Sequence, residues 1–185
     1  MNAHWHYYEL FGLAPKLGIC PDDLQQRFYE LSRKLHPDRF VRKSDVERQH
    51  ALDASSELND AYRTLKDSHK RAEYVLKQEG FDIGEQRSKD VPPELLEEVF
   101  ELNMALEEMR SGDDSARPQL EAAQHNFSGM LSDVEGQLEK LFDSYDASPD
   151  QGKLAEMRAV LNRRRYIRNL VNEVEKELSK QNVEL

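Results

Sequence analysis

The sequence predicts an all-α protein: an N-terminal part built around an antiparallel pair of helices, followed by a three-helix bundle. Three observations carry that expectation. Apolar residues recur at helical spacing along nearly the whole chain, and no segment alternates with the period of a strand. Only 8 Gly and 7 Pro punctuate 185 residues, of which 34% are charged and 38% hydrophobic. That balance suits a helical protein better than a β-sandwich or a disordered chain. The breakers also fall between periodic stretches, so they read as joints. They divide the chain into residues 1–79, a connection over 80–90, and residues 91–185.

Taken in order, Tyr7, Tyr8, Leu10, Phe11 and Leu13 supply an apolar segment ahead of the first long helix. That helix opens at Pro21, with Asp22 and Asp23 in the turn where the helix dipole favours negative charge. Its buried stripe reads Leu24, Phe28, Leu31, Leu35. It stops before Pro37, which lacks the ladder donor and restricts the residue preceding it. Ser44 and Glu47 have the spacing of a capping box. The helix they open runs through Leu58, Ala61, Tyr62 and Leu65, with Ala51 and Ala54 permitting a close neighbour. A shorter helix, about Ser68 to Glu79, ends at Gly80. GFDIGEQRSKD, residues 80–90, has turn residues and no periodicity. Pro92 and Pro93 start a helix reaching roughly Arg110, and SGDDSARP turns the chain. Leu120, Ala123, Phe127, Met130, Val134, Leu138, Leu141 and Tyr145 mark a long helix that DASPDQG breaks. Leu154, Met157, Leu161, Ile167, Val171, Val174 and Leu178 mark the last one. Long helices with short loops pack as an antiparallel bundle.

Charge separates the two parts. The net charge is −10; residues 1–80 hold 13 Lys/Arg and 13 Asp/Glu, and the remainder 13 and 23. A surplus of carboxylates repels phosphate backbones, so a nucleic-acid partner for the acidic part is not expected, despite the basic run RRRYIR. No apolar run approaches a membrane span, and MNAHWHYY lacks the charged start and apolar centre of a signal peptide. A cytoplasmic monomer without membrane association is expected. Cys20 stands alone, which excludes an internal disulfide and a cysteine metal cage.

The stretch RKLHPDRF, residues 33–40, holds the tripeptide His36, Pro37, Asp38. Proline there ends one helix and stiffens the loop, and a stiff loop loses less entropy when a partner docks. Arg27, Arg33 and Lys34 stand on the preceding helix and Arg39, Arg42 and Lys43 follow, a basic frame suited to an acidic surface. A capped turn without a partner is the simpler explanation of the tripeptide alone. In this setting, residues 4–79 resemble the J-domain of DnaJ-class co-chaperones. The resemblance implies that His36, Pro37 and Asp38 trigger ATP hydrolysis by a chaperone of the 70-kDa heat-shock class, with Arg27, Arg33, Lys34 and Arg39 as electrostatic support.

RAEYVLKQEGFDI, residues 71–83, and HPDRF at 36–40 resemble the HscB-type co-chaperones of iron–sulfur cluster assembly. A Gly/Phe-rich region and a cysteine-rich zinc domain, which continue a general DnaJ protein, are missing from the sequence. The family resemblance implies an HscA-type ATPase chaperone and an IscU-type iron–sulfur scaffold protein as partners. A general J-domain protein delivering unfolded clients to a DnaK-type chaperone is the competing expectation.

The first bundle helix adds an observation from the residues themselves. At 100° per residue, Leu95, Val99, Leu102, Leu106 and Met109 fall within about 40° of one line, a complete core stripe. Leu96, Phe100 and Met104 form a second line roughly 140° away. A bundle helix needs one buried face, so this second stripe is either a binding patch or packing against another part of the chain. The resemblance assigns Leu96, Phe100, Glu101 and Met104 to the scaffold, although Glu97 and Met104 depart from the family pattern. Tyr166 points away from the core line of the last helix, amid Arg163, Arg164, Arg165 and Arg168. It aligns with an aromatic scaffold-contact position of the family; a tyrosine lying along the surface is the alternative.

Neither catalysis nor a cofactor or metal is expected. His4 and His6 lack further ligands, and no GxxxxGK, HExxH or GxSxG occurs. The tripeptide has no orienting third member for His36.

Overall fold

The computed structural model describes residues 5–81 and 93–181, and every regular element among them is helical. Among the described residues seven α-helices follow one another: α1 His6–Phe11, α2 Pro21–Leu35, α3 Asp45–Lys66, α4 Ser68–Gln78, α5 Leu96–Arg110, α6 Arg117–Ala147 and α7 Gln151–Gln181. Short 3-10 turns occupy Pro37–Phe40, Pro93–Leu95 and Asp114–Ala116. Most of the connection at 80–90 lies outside the described residues. So does Pro92, and the expected proline start of α5 is a 3-10 turn from Pro93.

The chain separates into two compact units. The first contains the residues before position 83 together with Phe142–Leu154; the second contains residues 83–141 and those from Ala155 onward.

In the first unit α2 and α3 form the expected hairpin. Ala51 and Ala61 are buried at the seam, and the rings of Phe28 and Tyr62 stack at 4.1 Å between centroids. Of the α2 stripe Leu24 alone is fully buried, while Phe28, Leu31 and Leu35 are half-buried. Helix α1 lays Tyr8 and Phe11 into the core, and the Tyr8 hydroxyl donates to the Lys16 carbonyl at 2.8 Å. Burial raises that phenol well above its ordinary pKa. Gly12 closes α1 in the left-handed region at φ 61°, a conformation that costs a residue with a Cβ far more. Arg27 then joins the helices: Nη1 donates to the carbonyls of Phe11 and Gly12 at 2.9 and 3.2 Å, and Nε to Asp23 at 3.0 Å.

Residues 142–154 complete this unit. Phe142, Tyr145 and Leu154 are buried, and the carboxylate of Asp146 accepts from the backbone N–H of Leu17 and Gly18 at 2.8 and 2.7 Å. Two amides of the loop before α2 thereby find an acceptor that the loop itself does not offer. Arg71 is buried beside this group and donates to the Leu65 carbonyl at 2.5 Å. Burial lowers its pKa, opposed by Tyr8, Asp146 and Asp67.

In the second unit most of the core follows the predicted periodicity. Leu95, Val99, Leu102, Leu106 and Met109 of α5 are buried with Leu120, Phe127, Val134 and Leu138 of α6 and Leu161, Ile167, Val171 and Val174 of α7. Three positions of the expected stripes differ: Ala123 and Met130 of α6 and Leu178 of α7 are half-buried, and at the end of α7 the buried position goes to Glu177. Glu177 tolerates this because Arg110 Nε approaches it at 3.4 Å and Lys180 Nζ at 3.0 Å.

Two outcomes follow for stability. Asp67 caps α4 by accepting from the N–H of His69 and Lys70 at 2.9 and 3.0 Å. Burial raises its carboxyl, but the amides of Lys70 and His69 outweigh that and the net pKa is lowered. A depressed folded pKa stabilises above the unfolded value and is lost as pH falls through the folded one. Asp67→Ala should therefore cost about 1 kcal/mol at neutral pH. In urea unfolding followed by circular dichroism, its deficit against the parent should shrink below about pH 4. Leu102→Ala, in the α5 core, should cost about 2–5 kcal/mol in the same measurement.

Candidate interaction sites

Two solvent-facing features stand out, one on each unit. The first is the turn after α2. Helix α2 ends at Leu35, and His36 takes extended backbone (φ −59°, ψ 128°) because Pro37 excludes a further α-helical turn. The chain then makes one 3-10 turn over Pro37–Phe40. His36 Nδ1 accepts from the N–H of Asp38 at 3.3 Å, so the histidine caps the turn while its ring stays exposed. Asp38 carries its carboxylate outward, 84% exposed. Beyond the turn the capping box forms as expected: Glu47 N–H donates to Ser44 Oγ at 3.3 Å and Ser44 N–H to Glu47 Oε2 at 3.0 Å. The turn is thus held between a helix end and a helix start.

Its basic frame divides. Arg33, Lys34 and Arg39 are exposed, and Nη1 of Arg39 donates to the Arg33 carbonyl at 3.3 Å, folding the side chain back onto the last turn of α2. Among the described residues none of the three meets a carboxylate. Arg27, expected among the outward bases, is half-buried with its guanidinium engaged by Asp23 and the end of α1. Its first task is structural.

The second feature is the outer face of α5. Leu96, Phe100 and Met104 are exposed at 56%, 65% and 49%, while their core counterparts on the same helix are buried. The surplus stripe is therefore not core. Beside it runs a groove between α5 and α6, floored by Leu102, Ala105 and Phe127 and walled by Glu98, Glu101 and Glu108. None of these three carboxylates has a cationic partner among the described residues. The helical wheel sets Glu97, Glu101 and Glu108 along the stripe but does not show the groove, because its α6 side depends on which face of α6 meets α5.

Tyr166 is half-buried on α7. Burial raises its phenol, as does the Glu173 carboxylate. In a bundle with short loops α5 and α7 run parallel. Arg110 pairs with Glu173 at 2.9 Å and with Glu177 at 3.4 Å. These pairs tie the end of α5 to α7, the helix that carries Tyr166. Arg164, among the neighbours of Tyr166, pairs with Glu135 at 2.6 Å.

No group of three or more His, Cys, Asp and Glu among the described residues is arranged to hold a metal ion. No helix among them is long and apolar enough to cross a membrane.

Comparison with known proteins finds relatives for both parts of the chain. Residues 6–74 match the DnaJ domain, and residues 91–175 the HSCB C-terminal oligomerisation domain. The co-chaperone protein HscB homolog of Vibrio campbellii is 33% identical over 175 residues, 92% of this chain and 95% of that one. The homolog of Neisseria meningitidis serogroup B is 38% identical over 108 residues, 58% and 65% of the two chains. Among solved structures, chaperone HscB from Vibrio cholerae is similar with a TM-score of 0.68 at 28% identity, over 95% of this chain and 98% of that one. Human co-chaperone protein HscB shares the fold, with a TM-score of 0.65 at 24% identity over 96% and 84%. Matched at both ends, and along nearly the whole of a relative, the chain belongs to the HscB family of J-domain co-chaperones.

Proposed function

We propose that this protein is an iron–sulfur co-chaperone that works without catalysis of its own, in the cytoplasm and as a monomer. The J-domain, residues 1–79, docks an HscA-type ATPase chaperone and accelerates its ATP hydrolysis through His36, Pro37 and Asp38. Arg33, Lys34 and Arg39 steer the encounter toward an acidic surface; Arg27 supports them by fixing α1 against α2. The bundle, residues 91–185, holds an IscU-type scaffold carrying a nascent cluster. Leu96, Phe100 and Met104 supply the apolar contact, with Glu101 and Tyr166 beside them. The link over 80–90 keeps both partners on one chain, which raises the effective concentration of scaffold near the chaperone.

One observation carries the reading: each unit exposes a recognition feature that its own core does not use. The His36-capped turn ends in an open carboxylate, and the α5 stripe leaves three large apolar side chains in solvent. Membership in a co-chaperone family supports the chaperone as one partner, and the match to the HSCB C-terminal domain supports a partner for the other feature.

His36→Gln should abolish stimulation of the chaperone's ATPase and leave scaffold binding intact, measured by phosphate release and by calorimetry. Leu96→Ser with Phe100→Ser should do the opposite, with an unfolding midpoint close to the parent's because both residues are exposed. A pull-down with the scaffold and an unfolded client side by side separates this reading from general client delivery. Retention of the client alone would overturn it.

A further inference from the structure

Among the described phenylalanines, tyrosines and tryptophan two are exposed, Phe100 on α5 and Tyr29 on α2. Phe100 has a proposed partner, and Tyr29 does not. Tyr29 is 52% exposed. At 100° per residue it stands about 140° from the Leu24 core line, one helical turn before Arg33 on the same outer face. Its orientation is supported at both ends. The hydroxyl accepts from Gln25 Nε2 at 3.3 Å, and the ring lies 5.7 Å from that of Phe28, tilted by 52°. Arg39 folds onto the Arg33 carbonyl at 3.3 Å, so the aromatic, the two arginines and the His36 turn form one continuous strip. At one end of that strip stands a large, oriented apolar ring, followed by arginines that have no carboxylate partner among the described residues.

We propose that Tyr29 is the aromatic anchor of the face that docks the ATPase chaperone, and that the chaperone meets it with an apolar hollow rimmed by acidic groups. This rests on the reading above of the His36 turn. Two physical tasks divide along the strip. Unpaired exposed bases act at long range and raise the association rate, while a ring seated in a dry pocket slows dissociation. Charge complementarity favours the chaperone over a second copy of this chain, since a symmetric contact through this face would oppose cations to cations.

The test is the kinetics of the full-length protein binding an HscA-type chaperone, followed by biolayer interferometry at several salt concentrations. Tyr29→Ala should raise the dissociation rate about tenfold or more with an unchanged salt dependence. Tyr29→Phe should keep most of the residence time, and Arg33→Gln should instead slow association and flatten the salt dependence. Unchanged dissociation in Tyr29→Ala, with His36-dependent ATPase stimulation intact, overturns the anchor and leaves the function standing. Absence of stimulation by the parent protein overturns both. Sedimentation in which Tyr29→Ala turns a parent dimer into a monomer assigns the ring to self-association and also overturns the anchor.

Discussion

A proline at position 37 forbids another α-helical turn, and the N-terminal unit is organised around that prohibition. Helix α2 has to stop at Leu35, the chain has to leave in extended backbone at His36, and the next helix has to be started afresh. Each end of the gap is fastened separately: a histidine nitrogen receives the Asp38 amide, and the Ser44–Glu47 box opens α3. The α2–α3 seam, with small alanines and the Phe28–Tyr62 stack, holds the two fasteners close together. The polar side chains of the turn are thereby presented with little freedom left to lose.

The same economy explains the surplus stripe on α5. Burying Leu96, Phe100 and Met104 would require a fourth layer that a three-helix bundle lacks, and their side chains add nothing to the core that Leu95, Val99, Leu102, Leu106 and Met109 already fill. Isolated apolar residues on a surface are ordinary, whereas three in register on one helix, beside a groove walled by glutamates, form a patch with direction and charge. The pairing of Arg110 with Glu173 and Glu177 ties α7 to the end of the helix that carries the stripe.

Much of this was legible in the sequence wherever the cause is local. Pro21 and Pro37 bound α2, Ser44 and Glu47 cap α3, Gly80 follows α4, and the two lines of α5 separate buried from exposed side chains as the 100° step requires. The features that escaped are those whose partners lie far along the chain. Glu177 is buried in place of Leu178 because Arg110, 67 residues earlier, supplies a compensating charge. Arg27 is spent on carbonyls 16 and 15 residues before it, at the end of a short helix whose direction no periodicity dictates. Tyr29 sits outside the α2 stripe and is legible on a helical wheel, whereas the return of Arg39 to the Arg33 carbonyl, which extends that face, is not.

Asp146 makes the boundary of the N-terminal unit a matter of geometry rather than of order along the chain. Its carboxylate serves the amides of Leu17 and Gly18 from 129 and 128 residues away, and Tyr145 and Phe142 fill space in the same core. A fragment cut after residue 81 would retain the whole matched DnaJ segment, yet hand two amides from a fixed carboxylate to solvent and leave a hydrophobic wall open to water. Such a recombinant piece is a different object from the intact unit, and its behaviour would report on the missing wall as much as on the tripeptide.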